Sequence, residues 1–194
     1  YASYGWVEGE EKIHSIEALR YFTNMHKFEA FDQDIRDLSP LSELKNLGIL
    51  AVDGNPISDL SPISGLENLG ILQISYIEEA SDLSPISGLP NLHSLYLRGN
   101  RIEDISALAG LSNLETLDLS NNNIFDLSPL SGLAKLTSLK LAGNPVTDFE
   151  PIRGLMPNIT DRDFEPLYAD EATDTPIEIA EPAFEAALRR AMNI

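Results

Sequence analysis

Cysteine is absent, which excludes disulfides, thiolate nucleophiles and thiolate metal sites without fixing a cellular compartment. Basic residues are scarce: 13 Lys and Arg stand against 31 Asp and Glu, a formal net charge of -18. A field of that sign repels phosphate backbones and anionic lipid, so neither nucleic acid nor a membrane surface is expected as a partner. No apolar run approaches the roughly 20 residues of a membrane span. No secretory leader is visible either. The chain opens Tyr1-Ala2-Ser3-Tyr4-Gly5-Trp6, without Met, and reads as a mature fragment or an excised domain. Phosphate-cradling loops, nucleophile elbows and dinucleotide fingerprints are all missing. No enzyme activity, metal or cofactor is therefore expected.

What the chain has in excess is leucine, 29 of 194 residues, and the leucines are periodic. The phrase Leu-Ser-Pro-Leu/Ile-Ser-Gly/Glu-Leu returns at 38–44, 60–66, 83–89 and 127–133, with variants at 105–111 and 149–155. The units begin at Phe22, Leu44, Leu66, Leu89, Leu111 and Leu133, a period of 22 residues with one unit of 23. Within a unit, Leu95 and Leu97 alternate with polar residues, as in a short strand buried on one side. Gln33, Asn55, Asn100, Asn122 and Asn144 share one slot, where a buried amide can bond the turn leaving the strand and stack into a ladder. Asp37, Asp59, Asp82, Asp104, Asp126 and Asp148 form a second column, read as acceptors of local turn N–H groups rather than as metal ligands. The Ser-Pro pairs that follow, such as Ser39-Pro40 and Ser128-Pro129, predict an N-cap and first-turn proline opening a short helical or 3₁₀ turn. Gly65, Gly88, Gly110, Gly132 and Gly154 are expected to let the chain bend back.

These features compose the leucine-rich repeat pattern over residues 22–155. The finer signature N-x-I-x-D-I/L-S-P-L-x-x-L resembles the internalin-type repeats of Gram-positive surface proteins, and residues 13–24 resemble that family's entry into its first full repeat. The resemblance implies an α/β repeat fold: a right-handed solenoid with a concave parallel β-sheet and short 3₁₀ or helical turns on the convex side. It also implies that the concave face binds another protein, and that the chain is part of a secreted or cell-surface bacterial protein. Two other readings stay open, an intracellular regulatory domain similar to phosphatase-binding leucine-rich repeats and a structural spacer of a larger surface protein.

Residues 1–21 read as a partial N-terminal cap, 22–156 as six repeats, 157–176 as a closing segment and acidic linker, and 177–194 as a strand plus amphipathic helix. In the last segment Phe184, Ala187, Leu188 and Ala191 share a helical face, with Phe184 and Leu188 as its anchors. This segment resembles the family's N-terminal cap although it lies at the opposite end. It could open a further repeat array, fold back over the first repeat, or associate with a neighbouring chain. The N-terminal residues offer only a strand around Trp6.

The side chains flanking the strand leucines are predicted to point away from the core. They form three stripes, of which Phe31, Ile49, Ala51 and Ile71 make an apolar patch beside Gln73, Tyr96 and Arg98, with Asp118 and Lys140 farther along. Exposed apolar residues beside Tyr and Arg have the composition of a protein-binding hot spot. The 23-residue unit places Ile77 in the amide slot, and its extra residue is expected to push Tyr76 onto the binding rim. His26 and His93 share a column three repeats apart, roughly 14 Å at strand spacing, too far for one metal or proton relay.

Overall fold

The computed structural model describes residues 3–4, 11–77, 82–166 and 168. The 22-residue period becomes one coil of a right-handed leucine-rich repeat solenoid, with a strand on one side and a three-residue 3₁₀ turn on the other. The strands are β1 (Ser3–Tyr4), β2 (Lys27–Ala30), β3 (Ile49–Ala51), β4 (Ile71–Gln73), β5 (Ser94–Tyr96), β6 (Thr116–Asp118), β7 (Ser138–Lys140) and β8 (Asp161–Arg162). They form one parallel sheet in sequence order. Six strands were expected; two-residue strands added at each edge make eight among the described residues. The expected strand around Trp6 lies outside the described residues, and the N-terminal strand present is β1.

The register keeps each column in line. Leu50, Leu72, Leu95, Leu117 and Leu139 pair across β3 to β7, and all five are fully buried. With the other leucine and isoleucine slots they form one continuous core, so each coil buries its apolar side against its neighbours.

The convex turns are 3₁₀ in every unit, and their capping differs from expectation. The N-cap residues are apolar (Leu38, Leu60, Leu83, Leu127), and the serine is already the first residue of the turn. The aspartate two residues before it supplies the acceptor. Asp37, Asp59, Asp82, Asp104 and Asp126 each accept the N–H of residue i+2 at 2.7–2.8 Å, and Asp148 does so for Glu150 at 2.9 Å. These bonds hold the Asp37, Asp82 and Asp126 carboxyls below the ordinary aspartate range. The expected bending glycines are not where backbone freedom is needed: Gly88 and Gly132 have ordinary φ, whereas Gly54, Gly99 and Gly143 sit at φ +68° to +78°.

Two amide ladders bind coil to coil. In the first, each asparagine reaches back to the preceding repeat as well as to its own turn. The Asn122 Nδ2 group donates to the carbonyls of Leu97 and Leu119, both at 2.9 Å, and its Oδ1 accepts the Ile102 N–H at 3.1 Å. Asn55, Asn100 and Asn144 repeat this pattern, while Gln33 donates to Phe31 O and accepts from Ile13 N–H. Where Ile77 replaces the amide, its own N–H bonds Asn100 Oδ1 at 2.7 Å and its side chain joins the core. The second ladder was not anticipated. Asn46, Asn68, Asn91 and Asn113 stand just before the strands, and each donates to a carbonyl of the previous coil at 2.7–3.1 Å.

Candidate functional site

The concave face follows from the register. Its first column is Lys27, Ile49, Ile71, Ser94, Thr116 and Ser138, all half-buried. A β-branched or short side chain at the pleat of a tight parallel sheet keeps one flank in solvent and the other against its lateral neighbours. Ile49 and Ile71 are paired directly and form an aliphatic step on adjacent strands.

The second column runs Glu29, Ala51, Gln73, Tyr96, Asp118 and Lys140. Ala51, expected in the exposed patch, is fully buried. It stands between Glu29 and Gln73, both of which carry longer side chains. Glu29 pairs with Lys27 at 2.9 Å. Lys140 donates to Asp161 on the edge strand, which also accepts from Ser138 Oγ at 2.8 Å; these contacts hold the Asp161 carboxyl low.

The third column departs furthest from expectation. Phe31 is half-buried and Arg98 exposed, but Ser75 and Ser120 are buried. Carboxylates fold over them: Asp53 accepts the Ser75 N–H at 2.6 Å, and Asp118 accepts both the Ser120 N–H at 2.9 Å and its hydroxyl at 2.6 Å. Burial raises the Asp53 carboxyl above the ordinary range, against the lowering effect of its Ser75 bonds.

Beyond this column lies a row of left-handed residues: Asp32, Gly54, Tyr76, Gly99, Asn121 and Gly143. Side chain and glycine alternate, and the alternation has a steric cause. A Cβ on Gly54, Gly99 or Gly143 would collide with Asp32, Tyr76 or Asn121 respectively, so each side chain lies over the glycine of the next coil. Tyr76 is thereby displayed on the rim, 54% exposed, by its own φ of +57°. Asp32 and Asn121 adopt the same conformation in 22-residue units; the loop at 78–81 lies outside the described residues. Phe125, 64% exposed, occupies a loop position that holds Arg36, Ser58 and Glu103 in other units.

A concavity outside the three columns was not expected from the sequence. A groove of about 980 Å³ lies at the strand-entry edge of the first repeat, lined by Tyr21, Phe22, Met25, His26, Lys27 and Ile49 among others. Tyr21 is 80% and Phe22 57% exposed. The sequence signal is present, since Phe22 fills the slot held by leucine in every later unit. Ile49 belongs both to this groove and to the concave face, so the two surfaces are continuous. The expected anchors Phe184 and Leu188 lie outside the described residues.

The histidines sit apart from one another. His14 Nδ1 lies 2.8 Å from Asp34, and His93 Nδ1 lies 3.0 Å from Ser94 Oγ. Near the C-terminal edge, Asp161 is held by Lys140 and Ser138, and Asp163 accepts the N–H groups of Leu141 and Ala142 at 2.7 and 3.1 Å. No group of three or more potential metal ligands occurs among the described residues, and none of their helices is long and apolar enough to cross a membrane.

A family model for leucine-rich repeats (two copies) matches residues 90–135 and 112–154. No curated protein matches the chain. Among solved structures, an internalin (inlF) of Listeria monocytogenes superposes with a TM-score of 0.76 at 29% identity, covering 80% of this chain and 45% of that one. Internalin C2 (inlC2) of the same organism gives a TM-score of 0.69 at 32% identity, covering 79% of this chain and 77% of that one. A leucine-rich repeat protein of Leptospira interrogans gives 0.70 at 26% identity, covering 79% and 40%. The chain thus spans less than half the length of the first of these relatives.

Proposed function

The chain belongs to the internalin-type leucine-rich repeat family, and on that premise we propose that it is a non-enzymatic scaffold that recognises a protein ligand on its concave face, as part of a secreted or cell-surface bacterial protein. The observation that carries the reading is the Ile49–Ile71 step. Two aliphatic side chains stand side by side on a rigid sheet, half open to solvent, in a column that turns to Ser and Thr from β5 onward. Tyr96 and Arg98 flank that step, and Tyr76 stands on the adjacent rim. An aliphatic and aromatic centre with a polar, hydroxyl-rich periphery is the anatomy of a recognition surface. The polar half, with Asp118 and Lys140, supplies orientation. The bacterial part of this assignment is supported by the bacterial origin of the three relatives.

The test is ligand capture with cross-linking, comparing wild type with an Ile71→Asp, Tyr96→Ala double variant. Both side chains are half-buried on the face and outside the leucine core, so the variant is expected to keep its circular dichroism. Loss of the captured protein, with cross-links mapping to β3–β5, supports the proposal. Equal recovery by the two proteins overturns it in favour of a spacer.

A further inference from the structure

Lys27, Arg98 and Lys140 are the cations of the concave columns, and two of them are neutralised within the molecule: Lys27 by Glu29 and Lys140 by Asp161. Arg98 is exposed and has no such partner. The contrast runs through the whole described chain. Arg20, Arg36, Arg153 and Arg162 each hold a nearby carboxylate, Lys45 donates to a turn carbonyl, Lys135 donates to Asn113 Oδ1, and Lys12 and Arg101 are engaged as well. Among the described Lys and Arg residues, the Arg98 side chain alone makes no hydrogen bond, ion pair or ring contact.

We propose that Arg98 receives a carboxylate of the protein ligand, an Asp or Glu side chain that completes the concave face from outside. The inference rests on the concave-face reading and names the chemistry that face recognises.

The fold withholds the nearest internal candidate. Asp118 stands on the adjacent strand, opposite Tyr96 in the register. Its Oδ1 is committed to Ser120 instead, accepting the N–H at 2.9 Å and the hydroxyl at 2.6 Å. By the same register the lateral neighbours of Arg98 are Ser75 and Ser120, both short and buried. The guanidinium is therefore approachable across both adjacent strands.

Aromatic rings flank it. Tyr96 lies two residues before Arg98, on the same side of the strand. Tyr76 lies over Gly99, the next residue, where an added Cβ would stand 2.5 Å from the ring. A ligand group docked beside these rings is shielded from water on that flank, and a shielded charge pair is stronger than one in open solvent.

The class of anion follows from the donor. A guanidinium presents parallel N–H groups that match the two oxygens of a carboxylate. A single fork with Asp118 on the next strand suits one negative charge better than a phosphate dianion. The net charge of -18 does not forbid the contact, because exposed charges are screened beyond about 8 Å at physiological ionic strength. It does fix the register: an acidic side chain is accepted at Arg98 and repelled over the rest of the acidic surface.

The test uses the full chain, immobilised, with a phage-displayed library of random peptides as the probe. Peptides selected on wild type should share an Asp or Glu, and Arg98→Gln should weaken them about tenfold or more, as expected for a charged hydrogen-bonded pair. The variant changes an exposed side chain without contacts, so circular dichroism and melting temperature should stay at wild-type values. Replacing the peptide's acid by its amide should cost a similar factor against wild type and nothing further against Arg98→Gln, which couples the two groups. Additive losses overturn the proposal. So does a selected pool rich in Lys and Arg, or one in which no binder depends on Arg98. Tighter binding when phosphoserine replaces the acid overturns the carboxylate in favour of a dianion. An Ile49→Ala, Ile71→Ala variant, which keeps every charge, separates this result from the reading beneath it. Binding lost in that variant but kept with Arg98→Gln sinks the carboxylate alone. Binding lost with Arg98→Gln but kept in that variant supports the carboxylate and sinks the apolar step.

Discussion

The two ends of the solenoid solve the same problem differently. Any stacked-repeat protein must terminate a core that each coil only half closes. At the C-terminal end the described chain does this with its own residues. Phe149 and Phe164 stack with centroids 5.3 Å apart, Arg153 lies 4.6 Å from the centre of the Tyr168 ring, and Asp163 accepts two N–H groups of the segment leaving β7. At the N-terminal end β1 covers the sheet edge and Ile16 joins the core, yet Tyr21 and Phe22 remain in solvent over a wide groove. Aromatic residues at one end are used as a lid and at the other are left available. The contrast teaches that an aromatic side chain at a repeat terminus is not by itself a cap; what matters is whether a second aromatic or a cation meets its face.

The largest effects belong between the ends, and they set the scale. Leu95 is fully buried, and Leu95→Ala should cost about 2–5 kcal/mol, as for buried leucines generally. Asn122 makes hydrogen bonds to two coils from a buried position, so Asn122→Ala should cost about 1–3 kcal/mol through stranded backbone groups. Urea melts measure both. If neither shifts the midpoint, stability does not reside in the ladder and the stacked leucines, and the ends cannot be compared on that scale.

The comparison itself is broken or kept by a matched pair. Phe164 is partly buried against the core and stacked on Phe149, so Phe164→Ala should cost about 2 kcal/mol, below the value for a fully buried ring. Phe22→Ala removes a ring that is mostly in water and should cost about 0.5 kcal/mol or less by that side chain's contacts with the described residues. Thermal melts of the two variants in the full chain decide. A larger loss at Phe22 than at Phe164 would break the comparison, because the open end would then depend on its aromatic residue as much as the closed end does.

Much of this architecture was legible before any coordinates. The period, the strand register and the pairing of Ile49 with Ile71 follow from counting, because a solenoid translates sequence columns directly into spatial ones. What counting cannot see is the height of a neighbour. Ala51 sits in an outward column and is still buried, a one-carbon side chain between the longer Glu29 and Gln73. Ser75 and Ser120 are hidden for a related reason, their short side chains lying under Asp53 and Asp118. The second asparagine ladder was visible as a recurring Asn-Leu pair at Asn46, Asn68, Asn91 and Asn113, but an exposed amide has no reason in sequence to be structural. The left-handed column that displays Tyr76 is marked in the sequence by alternating glycines, a signal of backbone conformation that a count of unit length does not carry. Phe22 stays in solvent because a leucine slot at a terminus has only one neighbour to bury it.

The smallest expected effect sharpens the contrast between the two halves through pH. At the closed end, the Lys140 ammonium and the Ser138 hydroxyl hold the Asp161 carboxyl low, so its folded-state value lies below the unfolded one near 3.9. The folded state then binds fewer protons than the unfolded state in that window. Its stabilising contribution is complete above the unfolded value and is lost as pH falls through the folded one. In the open half Asp53 has the opposite sign. Burial raises its carboxyl, so the folded state holds the proton more tightly, and its unfavourable contribution is complete above the raised value and gone below about 3.9. Asp161→Asn should therefore weaken the protein at pH 7 and converge on wild type in acid. Asp53→Asn, which keeps an acceptor for the Ser75 N–H, should leave stability at pH 7 unchanged or higher, again converging in acid. Amide exchange gives the local version: on acidification from pH 7 toward pH 3, protection of β7 and β8 should fall relative to that of β3 and β4 after correction for the intrinsic exchange rate. If the two regions lose protection in parallel, the difference between the ends is one of packing alone and the carboxylates play no part in it.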